Sequence, residues 1–563
     1  MNDTKSNKPL LFTSSKIELL DFIICLLLAL AFSAAPSYID NGLFHFSLSY
    51  FLMVGTYFIV FLGLNILFKS LAGYCFTDSK ITPVGNAFSY IMRQNNNTLI
   101  LAAIMFLFWL PILLFLWPGT LINDSWGQLN QFIDLVEQTN KSYVLKAHHP
   151  IFDTFVMGII IVPWGKLTGH WHAAIFLYVL LQSLFTCAVF AYSIDYIYKK
   201  LHMSKTFSLI MFFMYCCLPI YPISAQTVSK DAFSACFFVI FSVMSMEIVR
   251  TKGSYIKHKL LSYILVSVLC CLSKKVNTYV VLFTILIMLI SYKNRIQFLI
   301  SGLVVSSIMF LVLPTAHRCL DIVPGGKQEM FSIPFQQTAR YVKYHSDDIT
   351  EQEYEVIDRL LDMNTLADRY KPIYADSVKG YSERGTTEDY IAYIKVWIKQ
   401  GLRHPGCYID AFNSMVSGWF SFSEYAPLMN MNWHSQFKED RIPSWVPERS
   451  GASAYLATEY ESFFHALYQI PFFKLFLSYG LYSALIPAFC LSVAFGKKQV
   501  RKKYWISYLP MMLSILIGCW LAPVSIQNEG RRYLYPITYT LPLLIGWCAY
   551  TIRKEEKAGL RGD

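Results

Sequence analysis

One short polar stretch of this sequence carries residue types suited to acid–base chemistry beside an apolar segment. Residues 121–128 read Leu-Ile-Asn-Asp-Ser-Trp-Gly-Gln, and they follow the apolar run Thr98–Trp117 and the chain breaker Pro118-Gly119. A carboxylate at a membrane edge stays wet enough to be charged, yet it acts strongly on its neighbours. Asp124 is therefore the leading candidate for a catalytic general base. A turn or helix cap is the structural alternative, because Asp is common at such places.

Two further groups lie close to Asp124 in sequence. Gln128 falls four residues later and shares a helix face with Asp124, with Trp126 between them. His148 and His149 follow in the same loop, and their type suits hydrogen bonding to a substrate or a phosphate. A divalent metal held by Asp124 and one of these histidines is the weaker alternative, because adjacent histidines are poor ligands for one ion. We expect a site without a metal and name no cofactor.

Three turns expected on the outer side of a membrane carry cations, where the positive-inside rule predicts few. They contain Lys230 and Asp231, Lys274 and Lys275, and Arg531 and Arg532. Such cations can bind a phosphate that hangs from a lipid, and arginine can do so with two hydrogen bonds.

Each pair also has a structural alternative. Lys230-Asp231 suits a helix start capped by Ser229, and Lys274-Lys275 suits lysines that reach toward lipid headgroups. Arg531 and Arg532 suit pairing with nearby acids. The coincidence of all three pairs on one side favours the phosphate-binding interpretation.

The elements that must position these residues are apolar helices. The chain is 55% hydrophobic and only 15% charged, whereas soluble domains carry about 25% charged residues. Several apolar segments approach the roughly 20 residues that cross a bilayer. The sequence therefore predicts an all-α polytopic membrane protein, with thirteen apolar segments near 17–35, 46–68, 98–117, 150–164, 171–194, 206–222, 232–249, 259–273, 276–292, 296–314, 472–495, 504–523 and 533–551.

The basic connectors between these segments alternate correctly only if twelve segments cross and one does not. The exception is 150–164, which is short, opens with Pro and carries Asp153, so we predict a membrane-surface or re-entrant helix. Both termini then lie in the cytoplasm.

The predicted organisation has three parts. Residues 1–314 form a transmembrane module with a large outer loop, 118–170. Residues 315–470 form a mostly helical soluble insert on the outer face, with 21 acidic against 15 basic residues, and residues 471–563 hold the last spans and a cytoplasmic tail. The insert contains two cysteines, Cys319 and Cys407, and a disulfide between them is one alternative.

A helix in the insert adds three supporting candidates. It begins after Pro334, and Gln336 and Arg340 share a face, with Gln337 beside them. An ordinary solvated helix explains the same spacing.

The motifs of other function classes are missing from the sequence. It has no Gly-x-x-x-x-Gly-Lys-Ser/Thr and no Gly-x-Gly-x-x-Gly, so neither an ATP-driven pump nor a dinucleotide enzyme is indicated. The positive charge lies in loops around the spans, which does not favour nucleic-acid binding.

With these residues assembled, the chain resembles an uncharacterised bacterial family of multi-span proteins related to the GT-C superfamily of membrane glycosyltransferases. The matching pieces are Asn123-Asp124-Ser125-Trp126-Gly127-Gln128, His148-His149-Pro150, Ser229-Lys230-Asp231 and residues 333–340, with Lys274-Lys275-Val276-Asn277 in place of a Lys/Arg-Lys-Asn-Gly pattern. The resemblance implies a GT-C-like fold, an acidic catalytic residue in the first outer loop, and outward-facing cations that hold a polyprenyl phosphate.

The function expected from these features is transfer of a sugar from a polyprenyl-phosphate-linked donor to a cell-envelope glycan or glycolipid, at the outer face of a bacterial plasma membrane. Asp124 acts as the base, the cations hold the lipid phosphate, and the partners are membrane lipids rather than nucleic acid. Two alternatives from other classes are a lipid-linked saccharide transporter or flippase, and a non-catalytic envelope assembly protein.

Overall fold

The computed structural model describes residues 17–72, 74–77, 83–137, 145–379, 385–422, 445, 451–496, 498–521 and 529–559. Over these ranges the chain is almost entirely helical, and the described part of each of the thirteen predicted apolar segments falls on one helix or on a run of successive helices. The coincidence follows from composition, because backbone groups in an apolar setting must satisfy their hydrogen bonds within the segment.

Fourteen α-helices are described before the insert. They are α1 (Leu19–Asn41), α2 (Leu48–Leu71), α3 (Pro83–Arg93), α4 (Asn97–Phe115), α5 (Asn123–Glu137), α6 (Ile151–Thr168), α7 (Trp171–Asp195), α8 (Lys205–Cys217), α9 (Ile220–Ala225), α10 (Lys230–Arg250), α11 (Tyr255–Ser273), α12 (Lys275–Ser291), α13 (Arg295–Ser307) and α14 (Leu313–Cys319).

The described part of the insert region and the C-terminal part add twelve more. They are α15 (Ser332–Tyr344), α16 (Glu351–Leu361), α17 (Met363–Arg369), α18 (Asp376–Lys379), α19 (Thr387–Arg403), α20 (Pro405–Val416), α21 (Gly451–Tyr468), α22 (Pro471–Leu477), α23 (Ile486–Phe495), α24 (Lys498–Tyr504), α25 (Leu509–Leu521) and α26 (Tyr535–Gly559). Short 3₁₀ turns include Lys327–Phe331, Ser346–Asp348 and Glu529–Leu534.

Among the described residues, eight helical stretches are long and apolar enough to cross a membrane. They are Leu19–Asn41, Leu48–Phe76, Asn97–Phe115, Ile151–Thr168, Trp171–Lys200, Lys230–Arg250, Tyr255–Ser273 and Arg295–Cys319. The protein is therefore an all-α, membrane-embedded protein. The helix at 151–168 is longer than the predicted 150–164 segment and has the length of a span, so its shortness no longer argues against a crossing.

Helix α10 lies at the centre of the transmembrane part. Nearly all its side chains are buried, and it packs against α7, α11 and α26. Ser229 begins the helix, because its hydroxyl accepts a hydrogen bond from the backbone N–H of Ala232. The insert has its own apolar core, formed by α15, α16, α17 and α19. Cys319 and Cys407 are free thiols, so the disulfide alternative is wrong.

Two short parallel strand pairs connect distant parts of the chain. Strand β1 (Thr120–Leu121) pairs with β3 (Thr227–Val228), and β2 (Lys146–Ala147) pairs with β4 (Val323–Pro324). Both pairs come just before candidate functional residues.

Candidate functional site

The pairing of β1 with β3 places the start of α5 beside the start of α10. In this register Leu121 lies opposite Val228. Asp124 comes three residues after Leu121 and Lys230 comes two residues after Val228, so both lie just past the ends of two adjacent parallel strands. The hydroxyl of Ser125 donates to the carbonyl of Val228, and Gln182 of α7 donates to the carbonyls flanking Gln226, at 2.7 Å each. Hydrogen bonds from side chains to backbone carbonyls thus hold the start of α5 next to the strand that leads into α10.

Asp124 is contacted by two cations and a histidine. Its Oδ2 accepts a hydrogen bond from Nζ of Lys230 and lies 3.0 Å from Nη1 of Arg532 and 3.9 Å from Nδ1 of His149. Nζ of Lys230 also lies 3.0 Å from Nδ1 of His149. Because an ammonium group only donates, that ring nitrogen accepts, and the ring proton of a neutral His149 resides on Nε2.

A second carboxylate extends this cluster. Oδ1 of the buried Asp231 lies 2.6 Å from Nζ of Lys274, and Oδ2 lies 3.6 Å from Nε of Arg532. Arg532 therefore joins the two carboxylates. Tyr533 lies below two of the cations, with its ring centre 5.1 Å from Nζ of Lys274 and 5.6 Å from Cζ of Arg532.

We call these residues the Asp124 centre, defined as Asp124, His149, Lys230, Asp231, Lys274 and Arg532. Its ion pairs join three cations to two carboxylates. That surplus of one positive charge, with every member mostly buried, is suited to binding an anion.

The electrostatics of the centre fix its protonation state. Burial by itself would raise the pKa of Asp124, but the charges of Arg532 and Lys230 outweigh burial and hold that pKa well below its ordinary value. Burial and the charge of Lys230 hold the pKa of His149 well below its ordinary value. At neutral pH the centre therefore contains an ionised Asp124 and a neutral His149.

His148 and His149 are held by the insert and by α12. Nζ of Lys275 donates to the carbonyls of Ala147 and His148, while β4 pairs along the other side of β2. Gly325, directly after β4, lies so close that a Cβ there would be 3.1 Å from Cα of His148. Lys275 thus positions the histidine segment instead of pairing with a carboxylate.

The insert also contributes charges next to His148. Lys379 lies 2.5 Å from Glu329 and 2.8 Å from Asp376. Burial lowers the pKa of His148, and the charges of Glu329 and Lys379 act on the same ring in opposite directions. The insert therefore forms one wall of the region around the Asp124 centre.

Gln128 and Trp126 support the centre from α5. Nε2 of Gln128 donates to Thr154 of α6 at 3.0 Å, and both Gln128 and Trp126 are buried. Thr154 is preceded by Asp153, a buried carboxyl group whose two oxygens have no hydrogen-bond partner among the described residues. An unpartnered buried carboxyl group is costly, so Asp153 is a candidate that the sequence interpretation overlooked.

The three supporting residues of α15 bind elsewhere. Gln336 donates to the carbonyl of Lys371, and Gln337 donates to the carbonyl of Tyr408. Arg340 donates to the carbonyl of Gly42 and pairs with Asp410 at 3.1 Å. These contacts hold the insert together and attach it to α1, and none of them involves the Asp124 centre.

Two other predictions have different outcomes. The side chain of Arg531 lies outside the described residues, so its role stays a prediction. Ser229 does cap α10, as the structural alternative for Lys230-Asp231 proposed, yet both residues also belong to the centre. Capping and participation in the site are compatible.

Some contributors were missed for identifiable reasons. Tyr533 follows Arg532 directly in the sequence. An aromatic residue next to a cation at the outer side can indicate a cation–π contact, so the sequence did contain a signal for Tyr533. Asp153 was noticed only as an argument against a crossing, although an acid in an apolar segment is a functional signal in its own right. Glu329 and Lys379 gave no local signal, because tertiary packing alone brings them to His148.

The fold and the site together define an all-α membrane protein with a buried, mixed-charge centre where polar loops meet apolar helices. The chain belongs to the family of unknown function designated DUF6020, which it matches over residues 138–560. The matched range contains His149 and every cation of the centre, and it begins after Asp124. No curated protein and no solved structure matches the chain.

Proposed function

We propose that this protein is a membrane glycosyltransferase that moves a sugar from a polyprenyl-phosphate-linked donor to a cell-envelope acceptor. The reaction takes place on the outer face of a bacterial plasma membrane, in a GT-C-like arrangement of about twelve spans with both termini cytoplasmic. The observation that carries the proposal is the Asp124 centre, in which an ionised carboxylate shares two cations that could also bind a phosphate.

The chemistry is a single displacement at the anomeric carbon. Asp124 takes the proton of an acceptor hydroxyl while that oxygen forms a bond to the anomeric carbon. The bond between the anomeric carbon and the phosphate oxygen breaks, and the polyprenyl phosphate leaves with the electron pair. Lys230, Lys274 and Arg532 stabilise the charge that develops on the leaving phosphate.

A carboxylate with a strongly lowered pKa is a weak base, and the centre offers a way to change this. The donor phosphate competes with Asp124 for Lys230 and Arg532. Once these cations turn toward the phosphate, burial raises the pKa of Asp124 again, and its basicity increases only when the donor is bound. Neutral His149 keeps an N–H on Nε2 that can orient the phosphate or the acceptor.

The ion pairs at the proposed cytoplasmic ends favour transfer over transport. Lys69 pairs with Asp21 at 2.5 Å, and Lys199 pairs with Asp195 at 2.7 Å. These two cations are each matched by an acid, whereas a flippase would need surplus cations along a path between the two faces.

The test compares two substitutions in α5. We expect Asp124→Asn to lower sugar transfer by about 10²–10⁴-fold, the usual contribution of a general base. Asp134→Asn, a partly buried position on the same helix, should keep the wild-type rate. Transfer is measured in vesicles with a panel of radiolabelled undecaprenyl-phosphate-linked hexoses and envelope fractions as acceptor. Wild-type transfer by Asp124→Asn would contradict the mechanism.

A further inference from the structure

A second cluster of ligand-type side chains lies in the insert. His345 follows α15, Asp348 lies in the 3₁₀ turn Ser346–Asp348, and His404 connects α19 to α20. One nitrogen or oxygen from each residue lies within 4.8 Å of the others, and this is the one such group of three among the described residues. The three side chains come from two places in the chain, so tertiary folding assembles them.

The distances within the cluster suit a metal ion after small adjustments. Nε2 of His404 lies 2.7 Å from Oδ2 of Asp348, and the two imidazole rings stack with centres 3.8 Å apart and planes 20° apart. Ligands about 2.0–2.1 Å from Zn²⁺ in a tetrahedron are roughly 3.4 Å from one another, which is close to the spacing of the atoms here. The ligand lone pair of an imidazole lies in its ring plane, so the two stacked rings must also tilt toward a shared ion.

The stacking also limits the charge of the two rings. Two imidazolium cations this close would repel each other, so at least one ring is neutral, which is the form that binds metals. The nearby cation Arg403 pairs with Glu353 at 3.1 Å, so its charge is already matched. All three side chains are at least partly exposed, which leaves access from solvent.

We propose that His345, Asp348 and His404 form a binding site for a divalent transition-metal ion of the Zn²⁺ class. Two imidazoles and one carboxylate favour such an ion over Mg²⁺ or Ca²⁺, which prefer oxygen ligands. The bound ion fastens the end of α15 to the junction of α19 and α20. Because α15 also carries Arg340, the ion stabilises the helix that attaches the insert to α1.

The experiment uses the full-length protein in detergent after treatment with a chelator. Zn²⁺ is titrated by calorimetry, Co²⁺ by its visible absorption, and the unfolding midpoint is measured with and without Zn²⁺. We expect Asp348→Asn to weaken Zn²⁺ binding at least about tenfold, in line with the loss of one ligand. Asp347→Asn, the exposed neighbour, should bind like the wild type.

A second variant separates binding from packing. His345→Phe keeps an aromatic ring against His404 but removes a ligand, so it should stay folded and lose the Zn²⁺-dependent rise in the unfolding midpoint. Equal Zn²⁺ binding by Asp348→Asn, His345→Phe and the wild type would overturn the proposal and place the ion on other histidines or cysteines. A wild-type protein that binds neither ion would also overturn it.

Discussion

Two buried arginines of this protein, Arg532 and Arg340, have opposite surroundings. Arg340 donates to the carbonyl of Gly42 at 2.9 Å and to the hydroxyl of Tyr370 at 3.1 Å, and it pairs with Asp410. Asp410 in turn accepts from Tyr38 of α1 at 3.0 Å. One cation is thus matched by one acid and by neutral partners, which is the pattern of a structural attachment.

Arg532 belongs to a set in which three cations share two carboxylates. An unmatched buried charge is expensive, and a bound anion would restore the charge balance of this set. The comparison shows that charge balance distinguishes the surroundings of the two arginines, whereas burial does not. In the sequence, Arg532 is a candidate for phosphate binding and Arg340 is a supporting candidate.

The largest expected effect is on stability at Arg340. Arg340→Gln leaves Asp410 without its cation, and because the Asp410 side chain is 26% exposed we expect the lower end of the about 3–5 kcal/mol that breaking a buried pair costs. We expect a clear fall in the unfolding midpoint of the detergent-purified protein. The midpoint is measured by size-exclusion chromatography of samples heated to a series of temperatures. Arg359→Gln, at an exposed pair with Asp389, should change nothing measurable. Equal midpoints for the two variants would show that the Arg340–Asp410 pair stabilises the protein no more than the exposed Arg359–Asp389 pair does.

The second effect is on activity at Arg532. Arg532→Gln should lower sugar transfer by about 10²–10³-fold, the usual loss for one group that stabilises developing charge. Its unfolding midpoint should fall less than that of Arg340→Gln, because Lys230 and Lys274 still match the two carboxylates. Binding of undecaprenyl phosphate, measured by calorimetry in detergent, should weaken in parallel. Unchanged lipid-phosphate binding would show that Arg532 is structural as well.

The third effect is on the pH dependence of transfer. The charges of Arg532 and Lys230 outweigh burial and hold the pKa of Asp124 well below its ordinary value, so this carboxylate stays ionised at a pH where an exposed aspartate takes up a proton. Lys230→Gln removes one of the charges that lower this pKa while burial remains. The acid limb of the kcat/KM profile, which reports the donor-free enzyme in which Lys230 contacts Asp124, should therefore move to higher pH, by at least about one unit.

The matched control for this shift is Lys275→Gln, because Lys275 binds backbone carbonyls and no carboxylate of the centre. Its acid limb should stay at the wild-type position even if the rate falls. The same sign applies to folding: the stability from the ion pairs of Asp124 is present above its unfolded pKa of about 3.9 and is lost as pH falls through the lower folded value. An unshifted limb in Lys230→Gln would argue against Asp124 as the base.

The smallest effect tests the contact between insert and centre. A Cβ at Gly325 would meet backbone atoms of His148 and Ala147 at 3.1 and 3.3 Å, so Gly325→Ala should displace the histidine segment slightly. We expect a loss of transfer of about threefold to tenfold, as for small misplacements of a positioned group. Gly406→Ala, where nothing lies within 4 Å, should leave the rate unchanged. Identical rates for both variants would show that the insert does not position His148.

The sequence by itself determined the helical membrane character and the location of its apolar segments. Composition is enough for this, because an apolar run of span length has few structures other than a helix. It also selected all six residues of the Asp124 centre, since polar and charged residues at the ends of apolar segments stand out.

Only the tertiary structure decided which of the candidates come together. The register of β1 with β3 joins Asp124 to Lys230, and the turn before α26 brings Arg532 from more than 400 residues away. Arg340 carries the same charge, yet the packing of α15 against α20, the helix that contains Asp410, commits it to Asp410. Side-chain chemistry is local in sequence, but the pairing of charges depends on long-range packing, which spacing along the chain does not encode.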